Sequence, residues 1–131
     1  MRFFDGKIDI RTLSPLTLAY IGDGVFEIMT REYALLKESA QLNRLHLTVT
    51  QKVCASAQAN AAHKILDRLS EKELGFFRRG RNAQPGHVPK NADVSDYHYA
   101  TGLECLFGYL YLEGEKDRLT ELFLAIVSED E

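Results

Sequence analysis

The sequence predicts an all-α fold, and three observations carry that prediction. Apolar residues recur at helical spacing along most of the chain, helix start and stop signals punctuate those stretches, and no alternating run reads as a strand. At 131 residues the chain is expected to form one domain over 1–131. Chains of roughly 150 residues bury about 70% of their unfolded surface, so a substantial core is within reach.

The first helix is expected over 15–37. Ser14 is a good N-cap, Pro15 suits the first helical position, and apolar residues follow at Leu16, Ala19, Tyr20, Phe26, Met29, Leu35 and Leu36. Gly22 and Gly24 flank Asp23, and each weakens a helix by roughly 1 kcal/mol relative to Ala. Such glycines call for a reason, either close approach of another helix or room for a ligand. A second helix is expected over 44–67, with a small-residue run, ASAQANAA, that permits tight packing. Ser70 and Glu73 spell a capping box for a short helix reaching about Arg79. The stretch from Gly80 to Ser95 holds two prolines and reads as a long loop. Ser95 or Asp96 is expected to cap a third long helix that ends near Gly114, and KDRLTELFLAIV forms a closing amphipathic helix.

Two acids stand alone in apolar helical context. Asp23 lies in LSPLTLAYIGDGVF and Glu104 in YATGLECLFGYLYL, stretches of 14 residues with one charge each. An ionised carboxylate on a helix face that otherwise reads as core is costly unless a partner compensates it. Neither acid has a Lys or Arg three or four residues away on its own helix. If the two helices pack side by side, a divalent cation is a natural compensator, and hard oxygen ligands favour magnesium, with manganese as a substitute. A bond to a backbone amide or to an Arg from elsewhere is the structural alternative.

Composition narrows the rest. The chain is 45% hydrophobic and 27% charged, as in ordinary globular proteins, and its net charge of −3 does not advertise a nucleic-acid or membrane surface. Any such surface must be local. The best local candidate is the loop and its lead-in, where Arg78, Arg79, Arg81, His87 and Lys90 meet no acid before Asp93. A solvated loop is the plainer reading of the same residues. Cys54 and Cys105 are expected as buried thiols without a disulfide. No signal peptide or membrane-length apolar run is seen, so the protein is expected in the cytoplasm with no membrane partner.

These residues carry a resemblance. LAYIGDGVFE resembles the signature helix of the ribonuclease III family, and RGRNAQPGHVPKNADVSDYHYATGLECLFGYLYL together with VCASAQA resembles its small branch, the Mini-ribonucleases III. The likeness covers nearly the whole chain. It implies an all-α, ribonuclease III-like endonuclease domain, a helical bundle that acts as a homodimer on double-stranded RNA with magnesium and leaves 5′ phosphate and 3′ hydroxyl ends. Members of the branch lack the carboxy-terminal double-stranded-RNA-binding domain, and they mature the large-subunit (23S) ribosomal RNA precursor in bacteria. A ribosomal protein bound to that substrate is a further candidate partner.

By motif, Asp23 and Glu104 match the catalytic, metal-holding acids of the family. Full-length members carry two more acids, four residues before the first and three before the second; here those places hold Ala19 and Thr101. The site is therefore poorer in protein ligands, which keeps open a catalytically silent RNA-binding or ribosome-assembly module, or a helical interaction module whose acids are structural. Glu27 is either an outer acid of the site or a solvent-side ion-pairing residue. RNA contacts are expected from Arg79, Arg81, Asn82 and Lys90 and from Arg44, Thr48, Thr50 and Gln51. Tyr20, Val25, Phe26 and Met29 share the signature helix with Asp23, cannot all face one core, and so offer a dimer face.

Overall fold

A computed structural model describes residues 2–37, 41–83 and 93–128. Six helices follow in order: α1 (Pro15–Lys37), α2 (Leu42–Val53), α3 (Ala55–Ile65), α4 (Glu71–Arg81), α5 (Val94–Leu112) and α6 (Lys116–Ser128). Short 3-10 turns at Ile10–Thr12 and Leu66–Arg68 complete the described residues, which contain no strand. None of these helices is long and apolar enough to cross a membrane.

Helix α5 is the axis of the bundle. From Ala100 to Leu110 every residue but Glu104 is buried, the signature of a helix enclosed on all sides. It packs most extensively against α1, then α4 and α3. The α1–α5 crossing is set by two glycines. A methyl carbon on Gly22 would lie 2.8 Å from the Gly108 nitrogen and closer still to the Glu104 carbonyl, and one on Gly108 would strike the Leu18 carbonyl. The backbones therefore touch where Asp23 and Glu104 project. Gly24 has open space around it, so only Gly22 fulfils the close-approach expectation. Behind the crossing, Phe26 sets its ring edge-on to Phe107 at 5.4 Å and tilts against Phe123 at 5.8 Å.

The helix ends follow local chemistry. Ser14 Oγ accepts from the Thr17 amide at 3.1 Å, as an N-cap does. Ser70 and Glu73 form the expected capping box, and Arg118 of α6 donates to both Glu73 oxygens at 2.8 Å and to the Arg68 carbonyl, tying α6 to the start of α4. Gly114, at φ 76°, ends α5 in a left-handed turn in which the Glu115 amide reaches the Leu110 carbonyl at 2.9 Å.

Three expectations need correction. The helix over 44–67 is two helices, broken at Cys54, which takes an extended conformation and serves as C-cap of α2 and N-cap of α3. Its thiol bonds to the Gln51 carbonyl at 3.4 Å. No Gly or Pro marks the break; it lets α3 bury Gln58, Ala59, Ala61, Ala62 and Ile65 while α2 buries only Val49. Cys54 is consequently exposed rather than buried, and the Ser56 hydroxyl and the Ala57 amide hold its thiol below the usual range. Cys105 is buried as expected, and that burial pushes it up to about 11. Finally, α5 begins at Val94 rather than after Ser95 or Asp96, because the Asp93 carboxylate already accepts from the Asp96 amide at 3.0 Å. Asp96 then lies in the first turn, where its charge favours the helix dipole.

Candidate metal centre

The α1–α5 crossing brings the two lone acids together at an open cleft of about 360 Å³. Asp23 is exposed at its rim and Glu104 is half-buried beneath it. The expectation that both acids occupy core faces therefore holds only in part, and the desolvation cost falls on Glu104. Burial pushes the Glu104 carboxyl up to about 8, and the hydrogen bond and charge of Asp23 add to the rise, while a hydrogen bond from Gln58 opposes it. Among the described residues, no Lys or Arg lines the cleft. Two adjoining carboxyl groups without a cationic side chain between them suit a divalent ion.

The donors are all oxygen: the carboxylates of Asp23 and Glu104, with the Gln58 amide beside them. Hard oxygen donors with room for water and phosphate match magnesium or manganese rather than softer metals. Among the described residues no group of three or more His, Cys, Asp or Glu gathers, at this cleft or elsewhere, so the cleft offers two carboxylates only. Ala19 and Thr101 also line the cleft, and the Thr101 hydroxyl is engaged on the Tyr97 carbonyl at 3.0 Å.

Gln58 was not singled out from the sequence. Its signal was weak, because it shares the run 55–62 with Ser56 and Asn60, and only helical spacing, which puts it on one face with Cys54, Ala55, Ala61 and Ala62, sets it apart.

The other site candidates lie elsewhere. Glu27 pairs with Arg31 at 3.6 Å on the α1 surface, away from the acid cleft. Arg44, Thr48 and Gln51 follow one stripe of α2 by their spacing. Thr50 falls on the opposite side over the groove against α1, its hydroxyl donated to the His46 carbonyl at 2.8 Å. At the carboxyl end of α4, the Arg79 guanidinium lies 5.4 Å from the Phe76 ring centre and that of Arg81 6.0 Å from Tyr99. Arg81 Nε also donates to Asn82 Oδ1 at 3.2 Å. None of these residues lines the acid cleft. Lys90 lies outside the described residues.

Residues 16–115 match the family model for the ribonuclease III domain. The chain belongs to the ribonuclease III family. Relatives named Mini-ribonuclease 3 cover most of it: that of Symbiobacterium thermophilum is 45% identical over 87% of this chain and 88% of its own. That of Clostridium tetani is 42% identical over 93% and 82%, and that of Enterococcus faecalis 43% over 87% and 88%. A crystal structure of a Fusobacterium nucleatum protein superposes with a TM-score of 0.84 at 28% identity, covering 95% of this chain and all of that one. Family and fold agree with the reading of the motifs, and the chain is an endoribonuclease of the Mini-ribonuclease III branch.

Proposed function

We propose that this endoribonuclease cuts both strands of double-stranded RNA with magnesium at the Asp23–Glu104 cleft, leaving 5′ phosphate and 3′ hydroxyl ends. The observation that supports this reading is the meeting of two isolated acids at one open cleft on an α1–α5 backbone crossing. Asp23 and Glu104 would hold the ion. When bound, it would make attacking water more acidic and offset charge that builds on the phosphate.

The chain's own groups do the rest. Glu104, set half-buried on the central helix, is fixed relative to the core, and Asp23 at the rim is open to a phosphodiester. The missing acids at 19 and 101 leave room for substrate oxygens and water, which magnesium commonly keeps in its shell. RNA grip is assigned to Arg44, Thr48, Thr50 and Gln51 on α2 and to Arg79, Arg81, Asn82 and Lys90 around the loop, reading the duplex by its shape and phosphates.

A homodimer would present two such clefts to one duplex. Of the four residues first offered as its face, Val25 and Phe26 are buried in the protomer's own core and Met29 is half-buried; only Tyr20 is exposed. Val25 and Met29 nevertheless line an apolar groove beside α1 and α6 together with the exposed Ile28, Leu36, Phe3 and Leu124, and that groove suits a second copy. The cellular substrate is taken to be the 23S ribosomal RNA precursor in the cytoplasm, with a ribosomal protein on that RNA as a further partner.

The deciding test is incubation of the purified chain with long double-stranded RNA, with magnesium or with chelator, alongside Asp23→Asn. Magnesium-dependent fragments lost in the variant support the reading. Intact RNA that still binds the protein would instead identify a silent binding module.

A further inference from the structure

Four polar side chains are buried among the described residues: Thr30, Gln58, Glu73 and Thr101. Three have structural partners. The hydroxyls of Thr30 and Thr101 donate to carbonyls one turn back, of Phe26 at 2.7 Å and Tyr97 at 3.0 Å, and Glu73 is held by Arg118 and Ser70. Gln58, only 2% exposed, instead lines the cleft with Asp23 and Glu104 and supplies a hydrogen bond to the Glu104 carboxyl.

An amide is a costly choice here. Burying one costs more than burying an apolar side chain of the same shape, and its neighbours on α3 are alanines that pack without polar groups. Helix stability therefore gives no reason for Gln58. Glu104 gives one: its hydrogen-bond partners are Asp23 and Gln58. A cation held between the two acids would replace their mutual contact, leaving the Gln58 amide to fix the Glu104 side chain. An N–H donor to a carboxylate is also the stronger kind of hydrogen bond.

We propose that Gln58 is a positioning residue of the metal centre, donating its amide N–H to the Glu104 carboxylate and so holding it in the orientation in which it would bind the ion. This rests on the metal-centre reading above. With no acid at 19 or 101, a single amide on α3 performs the orienting that a fuller set of ligands would share.

The test is a Mn2+ binding isotherm on the purified chain, on Gln58→Met, which keeps length and packing but loses the donor, and on Asp23→Asn. Gln58→Met should raise the Mn2+ dissociation constant about 10-fold or more, the usual effect of removing a group that orients a ligand. The Mg2+ concentration for half-maximal cleavage of double-stranded RNA should shift by a similar factor, with the rate mostly restored at saturating Mg2+ and the melting temperature unchanged or higher. Gln58→Ala takes the same measurements should Gln58→Met not fold. An isotherm that overlays the wild type, or a lower melting temperature without a change in Mn2+ affinity, overturns the assignment. A wild-type chain that binds no Mn2+ overturns both the centre and the role of Gln58. One that binds Mn2+ but leaves RNA intact overturns the nuclease reading alone, and the isotherms still judge Gln58.

Discussion

Glu104 concentrates the electrostatic cost of this fold at one residue. It is half-buried beside a second acid, and burial already pushes its carboxyl up to about 8. Replacing it by Gln removes the charge yet keeps the shape and a polar group. Glu104→Gln should therefore cut RNA cleavage by more than roughly a hundredfold, beyond the usual loss for a group that only orients a ligand. Its thermal melt should show equal or greater stability without metal, the trade expected where a site is held at the expense of the fold. A variant that melts much lower would show that Glu104 is structural. The two acids were legible because each breaks an apolar helical stretch. Gln58 was not, because Ser56 and Asn60 share its alanine run and an uncharged amide carries a smaller desolvation penalty than a carboxylate.

Between elements, the glycines and the α4–α6 clamp make separable predictions. Gly22→Ala gains about 1 kcal/mol of helix propensity but drives a methyl into the α5 backbone, an overpacking cost of about 1–3 kcal/mol and a wedge between the two acids. Cleavage should drop more than stability. Gly24→Ala meets nothing within 4 Å and should stabilise by up to about 1 kcal/mol in denaturant melts.

The Arg118 guanidinium holds the Glu73 carboxyl below its ordinary value of 4.5. Because the folded-state value is depressed, this stabilisation is complete above pH 4.5 and is lost as pH falls through the lowered folded value. Glu73→Gln should cost about 2 kcal/mol at neutral pH, as loss of hydrogen bonds to a charged group does. Its acid melts should converge with the wild type at low pH.

The capping box and the Ser14 cap could be read directly because side-chain spacing encodes them. The break at Cys54 could not, since it is decided by how α3 beds onto α5. Phe26, offered for a dimer face, went to the core for the same reason: partners at Phe107 and Phe123 lie far along the chain.

At the scale of the whole molecule, a net charge of −3 means that RNA affinity must come from local basic groups. Binding should fall steeply as salt rises, and Arg44→Ala and Arg81→Ala should each reduce the slope of log affinity against log salt by about one. A salt-insensitive complex would place the interface elsewhere. Sedimentation at micromolar concentration should give a dimer, shifted toward monomer by Ile28→Glu or Leu36→Glu on the exposed apolar groove. A wild-type monomer would remove the two-cleft arrangement from the account.

The backbone contact at Gly22 and Gly108 also bears on how the enzyme fails when heated. With main chains touching, the helix segments that carry the acids cannot be drawn apart by fraying of one helix end; α1 must leave α5 altogether. Amide hydrogen exchange around these two glycines should occur only at the free energy of global unfolding. Thermal inactivation should accordingly coincide with the melting transition rather than precede it.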